Sequence, residues 1–292
     1  MQKLVYNYIM VKVKHVLGWV GFVAMTVVMG VSVFFSIRTE ESADYVVETN
    51  AFFAPFEFYE NRQIVGVDIE IVNRVAAKMN KTIQVKNVEF DVIIDNVEAG
   101  RIADAGAAGL TVTPARAEKV NFTIPYYTSV QYIIYDRNVP PTMRGDHVVW
   151  EALAGSTIGT QIGSTGYFFV DQEITDGVLA NTGTTLKGID SHQLAADAIK
   201  AHIVDYAVAD ELAAKFIVDK NPELGTLPLY SAGAVREQDT PVEESFAIAV
   251  NKERTELLEA FNEVLAEMLT EDAEGKTEIG KLVLKYMGLQ DE

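Results

Sequence analysis

Cysteine is absent from this 292-residue chain. Its absence excludes disulfides, thiolate zinc sites and a thiol nucleophile, and with them the acylated cysteine of a bacterial lipoprotein anchor. Histidine is scarce: His15, His147, His192 and His202 are the four present. None stands in His-Glu-x-x-His spacing, so a zinc hydrolase is not expected. Positive charge is short as well, with 24 Lys and Arg against 42 Asp and Glu, a net −18. Nucleic-acid backbones are held by Lys and Arg that displace counterions, so no nucleic-acid partner is expected. A nucleotide phosphate loop is also missing. Gly275-Lys276-Thr277 has the ending of one, but Thr270 stands where a glycine is required and no apolar strand precedes it. No low-complexity tract or short repeat is present.

What remains is a globular composition, 49% hydrophobic and 23% charged, of a length that suits two domains or two lobes. The N-terminus departs from it. Residues 16–37 form a run of 22 without a charge, which as a helix spans roughly 33 Å, about one hydrocarbon core. Lys3, Lys12, Lys14 and His15 precede it, while Arg38, Glu40 and Glu41 follow. The positive-inside rule then leaves residues 1–15 in the cytoplasm and exports the rest. The run is longer than the core of a cleaved signal peptide and lacks a good small-x-small exit site. A retained signal anchor is therefore expected ahead of a cleaved leader. Setting aside the four basic and two acidic residues of 1–43, the exported part holds 20 basic and 40 acidic residues, net −20. Such a surface is solvated and keeps a chain soluble and monomeric.

The exported chain alternates strand and helix. Residues 45–49 read as a strand and 50–55 as a loop with two aromatics. Asp68 stands where a helix cap is wanted, ahead of Val72, Val75, Ala76 and Met79 at helical spacing, and Asn80 suits a left-handed end. Residues 83–86 and 103–108 read as strands, with a helix over 91–99 between them that Gly100 ends. Thr113-Pro114 is a helix start with proline at the first position. The second half repeats this logic: strands at 157–161, 206–209 and 245–250, and helices after 163–166 and over 193–201, 211–218, 255–269 and 278–286. Such alternation implies a mostly parallel sheet with helices on both faces.

Four features carry chemistry, each with a plainer alternative. Arg116 sits in the first turn after Thr113, close to the Gly109-Leu110-Thr111 turn. A guanidinium there suits a carboxylate, though a surface arginine in a charged helix fits equally. The Gly163-Ser164-Thr165-Gly166 loop opens a helix, an anion site or a simple cap. Asp210 ends an apolar strand, where open sheets bind ligands, or it caps the next helix. Phe53 and Phe90 follow strands as loop aromatics that could clamp a side chain or pack in a core.

Taken together these segments resemble the extracellular solute-binding proteins of polar amino-acid ABC transporters (family 3, type II periplasmic-binding fold). The resemblance runs from about Tyr45 to Gly288. It is carried by Thr49-Asn50-Ala51-Phe52-Phe53-Ala54-Pro55-Phe56-Glu57, by Gly66-Val67-Asp68, by Phe90-Asp91-Val92, and above all by Gly109-Leu110-Thr111-Val112-Thr113-Pro114-Ala115-Arg116. Gln161-Ile162-Gly163-Ser164-Thr165, Ala207-Val208-Ala209-Asp210 and Lys285-Tyr286-Met287-Gly288 continue it in order. The resemblance implies that Arg116 pairs with a ligand α-carboxylate, helped by Thr111 and the Thr165 N–H. It implies that Asp210 and the Gly109 carbonyl hold the α-ammonium, that Phe53 and Phe90 sandwich the side chain, and that Asn50 and Gln161 face its polar end. Gly166, where relatives often carry a polar side chain, departs from the pattern.

The expectation is an α/β, two-lobe clamshell preceded by one N-terminal hydrophobic helix. Residues 1–43 form the tip and anchor, 44–130 and 243–292 lobe one, and 131–242 lobe two, with crossings near 128–130 and 241–243 as the hinge. The resemblance makes it the extracytoplasmic, non-enzymatic binding component of an ABC transporter. It takes a free L-amino acid, uses no cofactor or metal, and docks as a monomer on a membrane permease driven by its ATPase. The alternatives are a membrane-tethered sensor and a dehydratase-like enzyme. The amides of Asn50 and Gln161 favour a glutamine-like ligand over a cationic one.

Overall fold

Residues 43–289 are described by the computed structural model, and the uncharged run at 16–37 lies outside them. Among the described residues no helix is long and apolar enough to cross a membrane.

The chain enters on β1 (Tyr45–Thr49), folds a small antiparallel ribbon from β2 (Phe52–Phe53), β3 (Glu57–Glu60) and β4 (Gln63–Val65), and continues through α1 (Val67–Met79), β5 (Ile83–Asn87), α2 (Ile93–Ala99), β6 (Ala105–Gly106), α3 (Pro114–Lys119) and β7 (Asn121–Phe122). It leaves on the ten-residue β8 (Tyr127–Asp136). The second lobe adds β9 (Val148–Val149), β10 (Thr157–Gln161), α4 (Thr165–Thr175), β11 (Thr185–Ile189), α5 (His192–Lys200), β12 (Tyr206–Asp210), α6 (Glu211–Lys220), β13 (Leu224–Ser231) and β14 (Thr240–Pro241). The chain returns on β15 (Glu243–Phe246) and ends with β16 (Ala249–Val250), α7 (Thr255–Met268) and α8 (Glu278–Tyr286).

Two sheets result. The first has the order β5-β1-β6-β16-β7, the second β11-β10-β12-β8-β13-β14. Both are mixed rather than mostly parallel. The strands joined by helical crossovers, β1 with β5 and β6, and β10 with β11 and β12, are parallel. The strands that arrive from the other lobe, β16 and β8, pair antiparallel with their sheets. They need no crossover helix, so nothing forces their direction to match. β8 and β15 also pair with each other, Val130 opposite Glu243 and Tyr127 opposite Phe246, and together they form the double connection between the sheets.

Local sequence accounts for the helix boundaries. Thr113 accepts a hydrogen bond from Arg116 N at 3.2 Å and Pro114 fills the first helical position. Ser164 caps α4 through Tyr167 N, and Asn80 ends α1 in the left-handed region at φ 51°. Asp68 is not a cap: Gly66 precedes α1, and the Asp68 side chain is fully buried and directed elsewhere. The expected strands at 103–108 and 245–250 are shorter. Only Ala105–Gly106 pairs in the first, and the second is split between β15 and β16.

Core placement follows the strand period. On β12, Ala207 and Ala209 pack toward α5 and α6, and Val208 packs on the opposite face with Val170 of α4. On α7, Leu257, Phe261, Val264, Leu265 and Met268 recur at helical spacing and join Val47, Phe56, Val72 and Phe246 in one cluster. A fully buried aromatic such as Phe261 contributes roughly 1.5–3 kcal/mol, which ties the C-terminal helices to the first sheet.

Candidate functional site

The site is built where the carboxyl ends of both sheets face each other. Gly109 follows β6 with φ +54°, and a Cβ there would lie 2.4 Å from Phe53 Cε1. Only glycine allows both the backbone and the ring their positions. The Gly109 N–H donates to Asp68 Oδ2 at 3.0 Å, and Tyr126 OH donates to Asp68 Oδ1 at 2.6 Å. Burial pushes the Asp68 carboxyl up to about 6, with those two hydrogen bonds opposing it. Beside it, Glu57 is fully buried with neither oxygen partnered, and burial followed by the Asp68 charge drives its carboxyl far above the ordinary range.

Arg116 is buried at 8% exposure. Its Nη1 donates to the Thr111 carbonyl at 2.8 Å and its Nη2 to the Gly163 carbonyl at 3.0 Å, so one guanidinium touches both lobes. Two of its five N–H groups are occupied and three remain. Its carbon lies 5.7 Å from the centre of the Phe90 ring. Burial lowers its pKa, while Glu244 and Asp210 act in the opposite sense. Across the boundary, Gln161 Nε2 donates to Asn50 Oδ1 at 2.9 Å and to the Asp190 carbonyl at 3.2 Å. Asn50 Nδ2 donates to the Val88 carbonyl at 2.7 Å. The Thr111 and Thr165 hydroxyls stand 3.3 Å apart.

Asp210 occupies the cap position of α6 but makes no capping bond with its side chain. Its Oδ1 instead accepts from Gln131 Nε2 at 3.1 Å. Burial, then the nearby Glu244 charge, raises its carboxyl well above the ordinary range. The structure therefore brings together Asn50, Thr111, Arg116, Gln161, Thr165 and Asp210, with the Gly109 turn alongside. The two phenylalanines are placed differently. Phe53 stacks on Phe56 at 5.4 Å and meets His192 at 5.5 Å, whereas Phe90 lies on Arg116. Among the described residues these two rings do not touch each other. A groove of about 580 Å³ runs outward from Phe90, Arg116, Gly163 and Thr165 between α3 and α4.

Three residues escaped sequence reasoning. Gln131 and Glu244 lie on the crossing strands, each one residue past the stretch expected as hinge, and both are buried. Gly166 makes room for the first of them, since a Cβ at 166 would lie 2.9 Å from Gln131 Oε1. His192, the first residue of α5, is buried with Nε2 3.9 Å from Asp210 Oδ2, and burial lowers its pKa to about 4. A polar residue beside the apolar run of β8 was the available signal for Gln131, whereas Glu244 sits in the polar stretch Glu243-Glu244-Ser245 and gave none. The Ser191 cap was the signal for the third.

Residues 45–288 match the family model of bacterial extracellular solute-binding proteins, family 3. The chain belongs to that family. The Bacillus subtilis arginine-binding extracellular protein ArtP is 27% identical over 241 residues, 82% of this chain and 85% of its own. Among solved structures, the Streptococcus pneumoniae amino acid ABC transporter substrate-binding protein AbpA bound to L-arginine is 25% identical with a TM-score of 0.70, covering 84% of this chain and 94% of its own. An ancestral arginine-binding protein bound to arginine is 30% identical with a TM-score of 0.68, covering 83% and 97%. Membership makes this chain a solute-binding protein with the type II two-lobe fold, not an enzyme.

Proposed function

We propose that this solute-binding protein captures a free polar L-amino acid outside the cytoplasmic membrane, L-arginine foremost, and hands it to an ABC permease with its ATPase. The observation that carries the reading is the buried Arg116 bridging the lobes, opposite a buried Asp210. The three remaining guanidinium N–H groups, with the Thr111 and Thr165 N–H groups, take the α-carboxylate. Asp210 and the Gly109 carbonyl take the α-ammonium. Phe53 and Phe90 hold the side chain from two sides, and Gln161 and Asn50 meet its end.

A cationic side chain replaces the glutamine-like one expected from the two amides alone. Those amides bond each other and nearby carbonyls, which leaves Gln161 Oε1 as an acceptor and suits a guanidinium donor. An arginine-binding relative and an arginine-bound structural neighbour agree with a cationic side chain.

In this reading residues 44–130 and 243–292 form lobe one and 131–242 lobe two, with β8 and β15 as the hinge. Ligand bridges the lobes and stabilises the closed form by its differential affinity. The protein acts as a monomer, and residues 16–37 hold it at the outer face of the membrane. Intact mass of the native protein checks that anchor, a chain starting between Val31 and Asp44 removing it. The function itself is tested by thermal shift and calorimetry of the exported part against the L-amino acids, because a ligand that binds only the folded state raises the melting temperature. A single saturable site for arginine is expected, and no binding across the set would end the proposal.

A further inference from the structure

Glu244 lies in the middle of the site, 133 residues beyond Thr111 in sequence and 5% exposed. Its Oε2 accepts from the hydroxyls of both Thr111 and Thr165, one from each lobe. Its Oε1 accepts from Gln131 Nε2, and the same nitrogen donates to Asp210 Oδ1. Two buried carboxyl groups on different strands thus converge on one N–H₂ group. Among the described residues neither has a Lys or Arg nitrogen at ion-pair distance. His192 Nε2 stands 3.9 Å from Asp210 Oδ2, and burial lowers its pKa to about 4. Arg116, the one buried Lys or Arg among the described residues, directs its bonds to the carbonyls of Thr111 and Gly163. Gln131 is itself 1% exposed, and its Oε1 has no partner. The junction of Asp210 and Glu244 is therefore a buried place that lacks a cation and already presents its acceptors to a nitrogen donor.

We propose that Glu244 is a further ligand-binding residue, a second carboxylate that takes the ligand α-ammonium together with Asp210. This rests on the reading of Arg116 and Asp210 given above. A primary ammonium carries three N–H donors, and Asp210, Glu244 and the Gly109 carbonyl supply three acceptors. Burying such a group with two carboxylates relieves the repulsion between them. An incoming zwitterion thereby neutralises the part of the site that Arg116 does not reach. Specificity follows: a ligand lacking the α-amino group leaves both carboxyls buried and unpaired, which is where binding sites discriminate most strongly. Glu244 stands on β15, one of the two connecting strands, so the ammonium also ties the ligand directly to the segment that bends.

The test compares wild type and Glu244→Gln, which keeps the shape and one acceptor, for binding of L-arginine and of des-amino-arginine by calorimetry. Arg116→Ala and the melting temperatures of all ligand-free proteins serve as controls. Glu244→Gln is expected to weaken arginine roughly 10- to 100-fold, the usual effect of a lost hydrogen bond to a charged group, and to change des-amino-arginine by less than about two-fold. Equal loss for both ligands would make Glu244 a merely structural residue and overturn the proposal. Unchanged or tighter arginine binding would overturn it too, the latter showing a carboxylate that competes with the ligand. If wild type binds arginine, Arg116→Ala does not, and Glu244→Gln is indifferent, the reading of the site stands and only this inference fails. If wild type binds no amino acid, the reading of the site fails first.

Discussion

Gln161 Nε2 donates to Asn50 Oδ1 at 2.9 Å, joining the end of β10 to the loop after β1 on the other sheet. This bond and the Arg116–Gly163 bond at 3.0 Å both cross between the two sheets' sides of the site. One intramolecular hydrogen bond contributes about 0.5–1.5 kcal/mol. Asn50→Ala should therefore weaken arginine binding roughly 3- to 10-fold and shift the closed form to higher ligand concentration. Solution scattering reads this directly: saturating ligand should lower the radius of gyration, and an unchanged curve in wild type would remove the clamshell.

Arg116→Ala and Asp210→Ala should each nearly abolish binding. Truncating one partner of a buried, hydrogen-bonded charge pair costs about 2–5 kcal/mol, ~30- to several-thousand-fold in affinity. Arg116→Lys should be poor as well, because an ammonium cannot reach the Thr111 and Gly163 carbonyls while presenting a fork to a carboxylate. Near-wild-type calorimetric affinity in either alanine variant would place the site elsewhere.

Gly109→Ala should destabilise the fold. The new Cβ meets the Phe53 ring at 2.4 Å in a left-handed turn, and Phe53 is wedged among Phe56, His192 and Phe246. Overpacking and backbone strain together cost on the order of 2–4 kcal/mol. Urea unfolding should show a lower midpoint at an unchanged slope. A wild-type midpoint would mean that Phe53 moves aside freely.

His192 gives stability a pH dependence whose direction is definite. Its folded pKa, about 4, lies below the ordinary 6.5 because burial disfavours the imidazolium. The unfolded chain then binds the extra proton first, so stability falls as pH drops below about 6.5 and the loss is complete below about 4. The size is on the order of 3 kcal/mol. Asp68, raised to about 6, works the other way, its contribution falling as pH rises from about 4 to 6. The two are separated by comparing wild type with His192→Leu in urea from pH 7 to pH 4. The wild type should lose stability relative to the variant as pH falls, and parallel curves would show that His192 is not held neutral.

Much of the architecture was legible in the chain alone. Caps, left-handed ends and helical spacing involve neighbours in sequence, so Thr113-Pro114, Asn80 and the inward row of α7 could be read before any fold was known. The order of short segments around Arg116, Gln161 and Asp210 likewise belonged to the sequence, and it announced the family. Other readings failed where distant contacts decide. Asp68 looked like a cap because its neighbours allow one, but folding directs it to Gly109 and Tyr126, 41 and 58 residues away. Strand direction in the two sheets depended on which lobe each strand came from.

What the sequence by itself determined is where several helices begin and end and which family the chain belongs to. Only the tertiary structure decided that Glu244 and Gln131 stand beside Asp210, that Phe53 leans on His192 rather than Phe90, and that Glu57 and His192 are buried. The reason is physical. Hydrogen bonds between residues 113 or 133 positions apart leave no periodic trace in the chain. The protonation of a carboxyl or an imidazole is set by how much water the whole fold removes from around it.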